Sequence, residues 1–493
     1  MTRAPLVVVG DALLDRDLDG RAERLAPDAP VPVLDDPAER RRPGGAALAA
    51  TLAATLDGRA VVLVTALAAD EAGTTLRELL ELAGVEVVDL GLAGPTPEKI
   101  RVRAGGHSLL RIDRVTRPGR VGPLSRSGRR ALAGAGAVLV ADYGRGVAAE
   151  PGVRAALVDL PARLPLVWDP HPRGPAPVPG ARLATPNHAE AAGFAPEVPG
   201  PGLAAVTARA RLLAERWAAA GVAVTLGPGG ALLAEGAGAP LVVPAPPTPA
   251  GDPCGAGDRF AATAAGLLAD GALPSEAVAA AVAAATTFVT TGGATTVRIG
   301  PVGVDAAHPH PPAPAPPVGE RSPSPGAVGS VVHSPPDSSP MERALALVAA
   351  VRTQGGTVVA TGGCFDLLHA GHVATLRAAR ALGDCLVVCL NSDDSVRRLK
   401  GLERPLVPEV DRVAVLEALG CVDAVVPFDE RTPEAVLQRL RPDVFAKGGD
   451  YALADLPEAA LLATWGGQAV VLPYLEGRST TQLMKEVVRR DSH

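Results

Sequence analysis

The sequence is poor in aromatic residues, which make up only 2% of its 493 residues. Its cores must therefore be built from Ala, Val and Leu side chains. Lysine is scarce as well, because 47 residues are Lys or Arg and only those at positions 99, 400, 447 and 485 are lysines. A lysine retained in such a chain is a candidate for a site that needs a compact ammonium group.

Cysteines and long apolar runs are also few. The five cysteines form no Cys-x-x-Cys pair and show no metal-ligand spacing with histidine, which argues against a zinc site and indicates a reducing compartment. The apolar run Leu6–Val9 is too short for a signal peptide, and Ala277–Thr291 is shorter than a membrane span of about 20 residues. We therefore expect a cytoplasmic protein that contacts no membrane. A net charge of −6 gives no indication of a nucleic-acid-binding surface.

Alternating short apolar and longer amphipathic segments predict a βα fold in the first 304 residues. Eight candidate strands run from Leu6–Val9 to Ala231–Ala234, and helical stretches such as Leu203–Ala220 lie between many of them. This alternation predicts an α/β fold with a mostly parallel, doubly wound sheet. The polar segments 21–42 and 98–113 do not fit it and predict a small flap of strands outside the sheet.

The composition changes at residues 305–340, where Pro, Ser, Gly and Ala dominate. Such a segment cannot bury a core and is expected to be an extended linker. A second βα series with five candidate strands follows, and residues 341–493 are therefore predicted to form a second, smaller doubly wound domain of the Rossmann type. A chain of this length is expected to hold at least two domains.

The segment Gly251–Asp258 carries the first chemical signal. Its residues Gly255, Ala256 and Gly257 open an Ala-rich helix, and their N–H groups can form a nest for charge on a transferred phosphoryl group. Asp258 follows, where a carboxylate can take a proton from an attacking hydroxyl. The alternative is an aspartate that only caps a helix after a glycine turn.

Other motifs occur in the order found in ribokinase-type carbohydrate kinases, which the first 300 or so residues resemble. Asn187 and Glu190 lie one helical turn apart after a predicted strand and could orient a hydrated Mg²⁺. The resemblance rests on this pair, on Gly-Ala-Gly-Asp at 255–258, on Gly-Asp-Ala-Leu-Leu-Asp at 10–15 and on Pro-Gly-Gly-Ala-Ala at 43–47.

The kinase resemblance implies a role for each matching residue. Asp258 would be the catalytic base, residues 255–257 the anion hole, and Asn187 and Glu190 would serve the Mg²⁺ ion and the phosphates of the substrate ATP. Gly293, in the loop 292–296, would lie near the nucleotide base. The flap would be the family's β-lid, used for homodimerisation. The positions that would face a sugar phosphate are Asp11, Asp15, Gly44, Gly45, Lys99, Arg101 and Asp142.

Three positions depart from the kinase pattern. Leu48 replaces an Asn that usually follows the glycine turn, which bears on sugar recognition. His171 replaces a common Lys, and the segment 226–230 lacks a polar side chain often found there. The last two departures bear on nucleotide contacts.

The segment Thr361–His372 carries the second chemical signal. It is a glycine-rich strand-to-helix turn that contains two of the nine histidines of the chain. Such a turn directs N–H groups and a positive helix terminus at one point, which suits a phosphate. The imidazoles of His369 and His372 can donate hydrogen bonds to phosphate oxygens or carry charge to them. The alternative is a tight turn with incidental histidines.

This turn resembles the His-x-Gly-His motif of the cytidylyltransferase-like nucleotidyltransferases. The resemblance implies that His369 and His372 stabilise the α-phosphate of a nucleoside triphosphate while a sugar phosphate attacks it, without a protein nucleophile. Two implied positions have simpler alternatives, since Lys400 could be a solvated surface charge and residues 479–481 only a helix cap. The other nucleotide-binding positions implied are Gly362, Gly363, Phe365, Asp366, Asn391, Asp393, Lys400, Arg404, Arg412, Lys447, Ser479, Thr480 and Thr481.

A kinase followed by a nucleotidyltransferase resembles the bifunctional heptose-7-phosphate kinase/heptose-1-phosphate adenylyltransferases, whose motif order the chain matches outside the linker. The resemblance implies phosphorylation of heptose 7-phosphate at C1, dephosphorylation by a separate enzyme, and formation of ADP-heptose. The alternatives are another sugar phosphate, CTP or GTP in place of ATP, or a kinase half reduced to a non-catalytic dimerisation module. The intact Asp258 argues against the last of these.

Overall fold

The computed structural model describes residues 3–105, 107–115, 117–246, 251–297, 299, 338–449 and 456–473. These residues form two compact units. The first contains most of the described residues up to Val297. The second contains residues 338–449 and 456–473, together with the short pieces Pro201–Ala204 and Ala237–Pro244. The predicted linker lies almost wholly outside the described residues, so the boundaries at 304 and 341 stay a prediction.

The first unit is an α/β structure. Its strands are β1 (Leu6–Gly10), β2 (Ala12–Ala26), β3 (Ala29–Gly45), β4 (Val61–Thr65), β5 (Val85–Asp89), β6 (Leu92–Ala93), β7 (Glu98–Ala104), β8 (His107–Arg114), β9 (Arg120–Val121), β10 (Ala137–Ala141), β11 (Leu166–Asp169), β12 (Leu183–Ala184), β13 (Gly221–Thr225) and β14 (Ala231–Glu235). Its helices are α1 (Ala46–Thr55), α2 (Glu71–Leu82), α3 (Arg126–Ala133), α4 (Pro151–Val158), α5 (His188–Phe194), α6 (Gly202–Trp217), α7 (Ala256–Ala269) and α8 (Pro274–Thr290).

The main sheet of this unit has the order β14-β13-β12-β11-β10-β1-β4-β5. Neighbouring strands are parallel except β13 and β14, which are antiparallel. All residues of β1, β4 and β10 are buried, as expected for parallel strands covered by helices on both faces. The predicted α/β fold is confirmed. The polar segments form a second sheet of order β3-β2-β7-β8, which is the predicted flap and is called the lid below.

The second unit contains a five-stranded parallel sheet. Its helices are α9 (Pro340–Thr353), α10 (Ala370–Arg380), α11 (Asp393–Lys400), α12 (Glu409–Glu417), α13 (Glu434–Leu440) and α14 (Glu458–Ala463). A short strand β15 (Leu241–Val243), which the sequence did not predict, is grouped with this unit. The strands of the five-stranded sheet are β16 (Val358–Gly363), β17 (Cys385–Asn391), β18 (Ala424–Phe428), β19 (Val444–Gly448) and β20 (Gln468–Leu472).

The order of these five strands is β18-β17-β16-β19-β20. The chain first moves outward from β16 through β17 and β18 and then returns to the other side of β16. The switch in direction therefore lies at the carboxyl end of β16, where doubly wound sheets bind their ligands. The predicted second doubly wound sheet is confirmed. Among the described residues, none of the helices has the length and apolar character needed to span a membrane.

Candidate active sites

The first site lies at the N-terminus of α7. Gly255 precedes this helix with φ +83°, a conformation that favours glycine. A Cβ there would lie 2.9 Å from Cδ2 of Leu48, so packing also requires glycine. A Cβ on Gly257 would meet nothing within 4 Å. The nest is therefore held rigidly at Gly255 and is open at Gly257, where a phosphate could approach the backbone.

Asp258 is buried in the first turn of α7. Burial raises the pKa of its carboxyl to about 7, and the negative charge of Asp15 acts in the same direction. Tyr143 opposes this rise with a hydrogen bond from Oη to Oδ1 of 2.6 Å, and the charge of Lys99 opposes it too. A carboxylate with a pKa near neutrality is suited to general base catalysis. Tyr143 was not a predicted site residue, although it follows Asp142 at the end of β10.

A buried network of charges lies at the base of the lid, near Asp258. Arg42 pairs with Asp15 at 2.8 Å and with Asp17 at 3.0 Å. Arg101 contacts Asp15 at 3.1 Å and Sγ of Cys254 at 3.2 Å. The pKa of Lys99 is lowered by burial, and the nearby charge of Asp15 counteracts this. Three predicted sugar-site residues, at positions 15, 99 and 101, thus lie together.

Other predicted sugar-site residues support the backbone. Asp11 accepts hydrogen bonds from the backbone N–H groups of Tyr143, Arg145 and Val147, at 3.1, 2.9 and 2.9 Å. Asp142 accepts one from Gly144 at 2.8 Å, and burial raises its pKa to about 7. Both carboxylates therefore fix the loop Tyr143–Val147, and neither contacts the charged network.

The glycine turn Gly44–Gly45 closes the end of β3 against β2. A Cβ on Gly44 would lie 2.5 Å from Cδ1 of Leu13 and 2.7 Å from Oδ2 of Asp15. Gly45 has φ +63° and immediately precedes α1. The two glycines thus let β3 pack closely against the residues that hold Asp15 in place.

Asn187 and Glu190 form a capping box at the start of α5. The side chain of each accepts the backbone N–H of the other at 2.9 Å. Burial raises the pKa of Glu190, and burial together with the charges of Asp258 and Glu190 raises that of Asp169 well above its usual value. A divalent cation nearby would stabilise the ionised form of both carboxylates. Within the described ranges, no three His, Cys, Asp or Glu side chains come together to ligate a metal.

An apolar cavity of about 480 Å³ opens beside the nest. Gly257 and Phe260 of α7, Ala285 and Val289 of α8, and the turn Gly227–Gly230 contribute to its wall. Its size and position suit the base and ribose of a nucleotide. Gly293 is not part of this wall. A Cβ there would lie 2.4 Å from the carbonyl oxygen of Asp252, so Gly293 packs against the loop that precedes the nest.

The second site lies at the N-terminus of α10, at the carboxyl end of β16. His369 is the N-cap of this helix, and its Nδ1 accepts the N–H of Gly371 at 3.1 Å. Nδ1 of His372 accepts the N–H of His369 at 3.4 Å. In a neutral imidazole whose Nδ1 accepts, Nε2 carries the proton. Both rings therefore present an Nε2–H donor next to the positive end of the helix.

Burial lowers the pKa of His372 to about 4, and the nearby His369 and Lys400 act in the same direction. His372 is therefore neutral at physiological pH in the ligand-free chain. Of the two roles considered for it, donor and carrier of charge, this geometry supports the donor.

Arg412 holds the second site together. It is buried and donates to the carbonyl oxygens of Cys364, Asn391 and Val407 at 2.7, 2.8 and 3.0 Å, and to Asp393 at 2.7 Å. It thus joins the turn after β16, the end of β17 and the loop before α12. Neither its number of partners nor their identity could be inferred from the sequence.

Asp366 anchors the same loop. Its carboxylate accepts the N–H groups of Leu406 and Val407 at 3.0 and 3.1 Å and pairs with Arg404 at 2.6 Å. Asn391 donates to Oγ of Ser395 at 3.0 Å. Asp366 and Asn391 therefore hold the backbone and side chains around the site through these hydrogen bonds.

The remaining predicted residues surround this turn. A Cβ on Gly362 would meet its nearest neighbour, Phe445, at 3.4 Å, an ordinary contact, so packing does not require glycine there. Gly363 packs against the ring of Phe365, and that ring lies 5.5 Å from His372. Lys400 ends α11, and Lys447 lies 3.5 Å from the buried Glu458. The predicted residues Ser479, Thr480 and Thr481 lie outside the described residues.

Comparison with known proteins links the two sites. The chain is 58% identical over 485 residues to "Bifunctional protein HldE" of Streptomyces coelicolor, an alignment that covers 98% of this chain and 96% of the relative. The chain belongs to the HldE family. HldE proteins of Azorhizobium caulinodans and Halorhodospira halophila are each 39% identical over 492 residues, again with 98% of this chain covered and with 98% and 97% of those relatives covered.

Two family models match separate parts of this HldE-family chain. The pfkB family carbohydrate kinase model matches residues 162–299, which include Asn187 and Asp258. The cytidylyltransferase-like model matches residues 360–482, which include His369 and His372. The chain is therefore a bifunctional enzyme with a carbohydrate kinase domain and a nucleotidyltransferase domain. The resemblances inferred from the motifs are confirmed.

Two solved ribokinases resemble part of the chain. A ribokinase from Thermotoga maritima is 22% identical, with a TM-score of 0.47, and covers 60% of this chain and 96% of its own. A ribokinase from Arabidopsis thaliana, complexed with ribose and ATP, is 23% identical, with a TM-score of 0.46, and covers 59% of this chain and 93% of its own.

The structure shows the contacts of two residues that depart from the kinase pattern, Leu48 and His171. Leu48 belongs to a buried apolar cluster with Leu52, Phe288 and Ala294 under the nest. Nδ1 of His171 accepts the N–H of Arg173 at 3.1 Å, and burial lowers the pKa of this histidine. Leu48 therefore supports Gly255 by packing.

Proposed function

We propose that the chain catalyses two of the reactions that make a nucleotide-activated heptose, while a separate enzyme removes the 7-phosphate between them. In the first, ATP phosphorylates the C1 hydroxyl of heptose 7-phosphate to give the 1,7-bisphosphate. In the second, an AMP group passes from ATP to heptose 1-phosphate, and pyrophosphate leaves. The observation that carries the proposal is that one chain holds both a buried carboxylate beside an anion nest and two stacked histidines at a helix N-terminus.

In the kinase reaction, Asp258 accepts the proton of the sugar hydroxyl as its oxygen attacks the γ-phosphorus. The N–H groups of residues 255–257 stabilise the negative charge on the transferred group. The charged network at the base of the lid orients the sugar phosphate, with Lys99 and Arg101 as its donors. The apolar cavity beside Gly257 takes the base and ribose of ATP.

A hydrated Mg²⁺ fits the carboxylate-rich side of this site. Asn187 and Glu190 would hold it through water, and it would neutralise charge on the ATP phosphates. The raised pKa values of Glu190 and Asp169 support this placement, because a nearby cation would stabilise their ionised forms.

In the transferase reaction, the phosphate oxygen of the sugar attacks the α-phosphorus of the nucleotide in line, and pyrophosphate leaves. Nε2–H of His369 and of His372 donates to oxygens of that phosphate. Gly362 allows the nucleotide to approach the backbone, while Arg412 keeps the surrounding loops in place. The predicted triphosphate contacts of residues 479–481 stay a prediction.

Two assays on the full chain test the proposal. The first measures ADP formation from ATP with heptose 7-phosphate and, as a control, with other sugar phosphates. The second measures pyrophosphate release from each of four nucleoside triphosphates with heptose 1-phosphate. We expect turnover with the heptose phosphates and preference for ATP. Turnover restricted to another sugar or to CTP or GTP would replace the substrate assignment, and no sugar-dependent ADP would favour a non-catalytic kinase half.

We also propose a cytoplasmic homodimer that forms through the lid. Strand β8 exposes Leu109, Leu110 and Ile112 to solvent by 42, 55 and 42%, and a row of exposed apolar side chains on a sheet suits a second copy of the chain. Light scattering on the wild type and on Leu110→Asp tests this proposal. We expect a dimer and a monomer, respectively, and a monomeric wild type would refute it.

A further inference from the structure

The phenol of Tyr143 is fixed against the catalytic carboxylate from two directions. Its Oη donates to Oδ1 of Asp258 at 2.6 Å. Its backbone lies in the loop Tyr143–Val147, whose N–H groups converge on the buried carboxylate of Asp11 in the three hydrogen bonds described above. The position of the phenol is therefore set by the main sheet, because Asp11 directly follows β1.

We propose that Tyr143 is a positioning residue for the kinase reaction, which holds Oδ1 of Asp258 so that Oδ2 faces the sugar hydroxyl. This inference rests on the proposed role of Asp258 as the base. In the step, the hydroxyl oxygen bonds to the γ-phosphorus while the bond from phosphorus to the bridging oxygen breaks. The electron pair leaves with ADP, and the hydroxyl proton passes to Oδ2.

The charges around Asp258 explain why a neutral donor is useful there. Burial raises the pKa of Tyr143 well above 10, so the phenol keeps its proton and donates at neutral pH. Its hydrogen bond stabilises the ionised carboxylate and lowers the pKa of Asp258. The other charged groups that act on Asp258 or feel its charge are Lys99, Arg42, Asp15 and Asp169.

The test is Tyr143→Phe in the full chain, which removes the hydroxyl and keeps the ring. We expect kcat of the kinase reaction to fall about tenfold, the size expected for one hydrogen bond to a charged group. KM for the sugar should change less than about twofold, since the phenol contacts the carboxylate of Asp258 and not the substrate. The acid limb of the kcat/KM profile should move to higher pH, because the ionised form of Asp258 loses a donor.

Tyr474→Phe is the matched control, since it removes a phenol from the part of the sequence that the cytidylyltransferase-like model matches. Its kinase profile should equal that of the wild type. Transferase activity and melting temperature of Tyr143→Phe, measured on the same preparation, report whether the chain is folded.

A double-mutant cycle separates positioning from a general structural role. If Tyr143 acts through Asp258, adding Tyr143→Phe to Asp258→Asn should lower the residual rate no further. An additional loss in the double variant, or a raised KM with an unmoved acid limb, would overturn the inference. A wild type without sugar-dependent ADP formation would instead refute the proposed kinase function.

Discussion

The imidazole rings of His369 and His372 stack with their centroids 3.9 Å apart and their planes inclined by 30°. Two protonated rings at this distance would repel each other, and burial disfavours the charge further. The helix cap also uses Nδ1 of each ring as an acceptor, which requires that nitrogen to be unprotonated. The motif is thus built as a pair of neutral donors in the ligand-free chain.

The first prediction concerns the charge of His372. Because burial and His369 lower its pKa to about 4, its ring should stay neutral throughout the physiological range. An NMR titration of the ring protons, with the signal assigned by its loss in His372→Gln, should show no protonation above about pH 5. Adding ATP should raise the midpoint, since phosphate favours the protonated ring. A midpoint near the usual value of about 6.5 in the free chain would contradict the donor role.

The second prediction concerns the pH dependence of the kinase. The base must be ionised to accept a proton, and the pKa of Asp258 is raised to about 7. Kinase kcat/KM should therefore be half-maximal near pH 7 and fall about tenfold for each unit of pH below that. ADP release measured from pH 5.5 to 8.5 tests this.

The matched variant for that profile is Asp258→Asn. It should lower kcat by about 10²- to 10⁴-fold and remove the acid limb, while transferase activity of the same chain stays unchanged. Retention of more than half of the wild-type kinase rate would show that another group takes the proton.

The strands of both main sheets could be predicted from the sequence because their signal is local. Ala137–Ala141 and Leu166–Asp169 have the predicted bounds, since each is a short apolar run between polar segments. The lid strands extend further than predicted, because the first residues of β2 are buried and carry no polar pattern.

The anchoring residues of the two sites could be identified only in part. Asp258 and the two histidines are marked by glycine turns at a helix start, which is a local pattern. The contact between Tyr143 and Asp258 spans 115 positions, and the loop that Asp366 anchors begins 40 positions away from it. Local periodicity holds no information on such pairs, so only the tertiary structure separates residues that frame a site from residues that face the ligand.

The third prediction compares two glycines of the nest. Gly257→Ala adds a methyl group where nothing lies within 4 Å, so the fold should be unaffected while the methyl group obstructs the phosphate. Gly255→Ala forces a left-handed conformation on alanine and a contact of 2.9 Å with Leu48, so it should destabilise the first unit by about 1–3 kcal/mol. Thermal unfolding and the KM for ATP are measured on both variants. Gly257→Ala should raise the KM and keep the unfolding temperature, whereas Gly255→Ala should lower the unfolding temperature. Normal ATP affinity in Gly257→Ala would show that phosphate does not approach there.

The fourth prediction concerns Arg412, whose guanidinium joins three carbonyl oxygens and Asp393. Lysine keeps the charge but cannot reach all four acceptors, because its donors sit on a single nitrogen. Arg412→Lys should therefore lower the free energy of unfolding of the second unit by about 2–4 kcal/mol, through buried carbonyl groups left unsatisfied. It should also slow pyrophosphate release, since the turn after β16 loses its support. Urea denaturation gives the free energy of unfolding, and hydrogen exchange in β16 and β17 locates the change.

Arg397→Lys is the control, because Arg397 is 44% exposed and pairs only with Asp394 on its own helix among the contacts described. A loss of stability in the control equal to that in Arg412→Lys would show that the effect follows any Arg→Lys change and does not depend on the hydrogen bonds of Arg412.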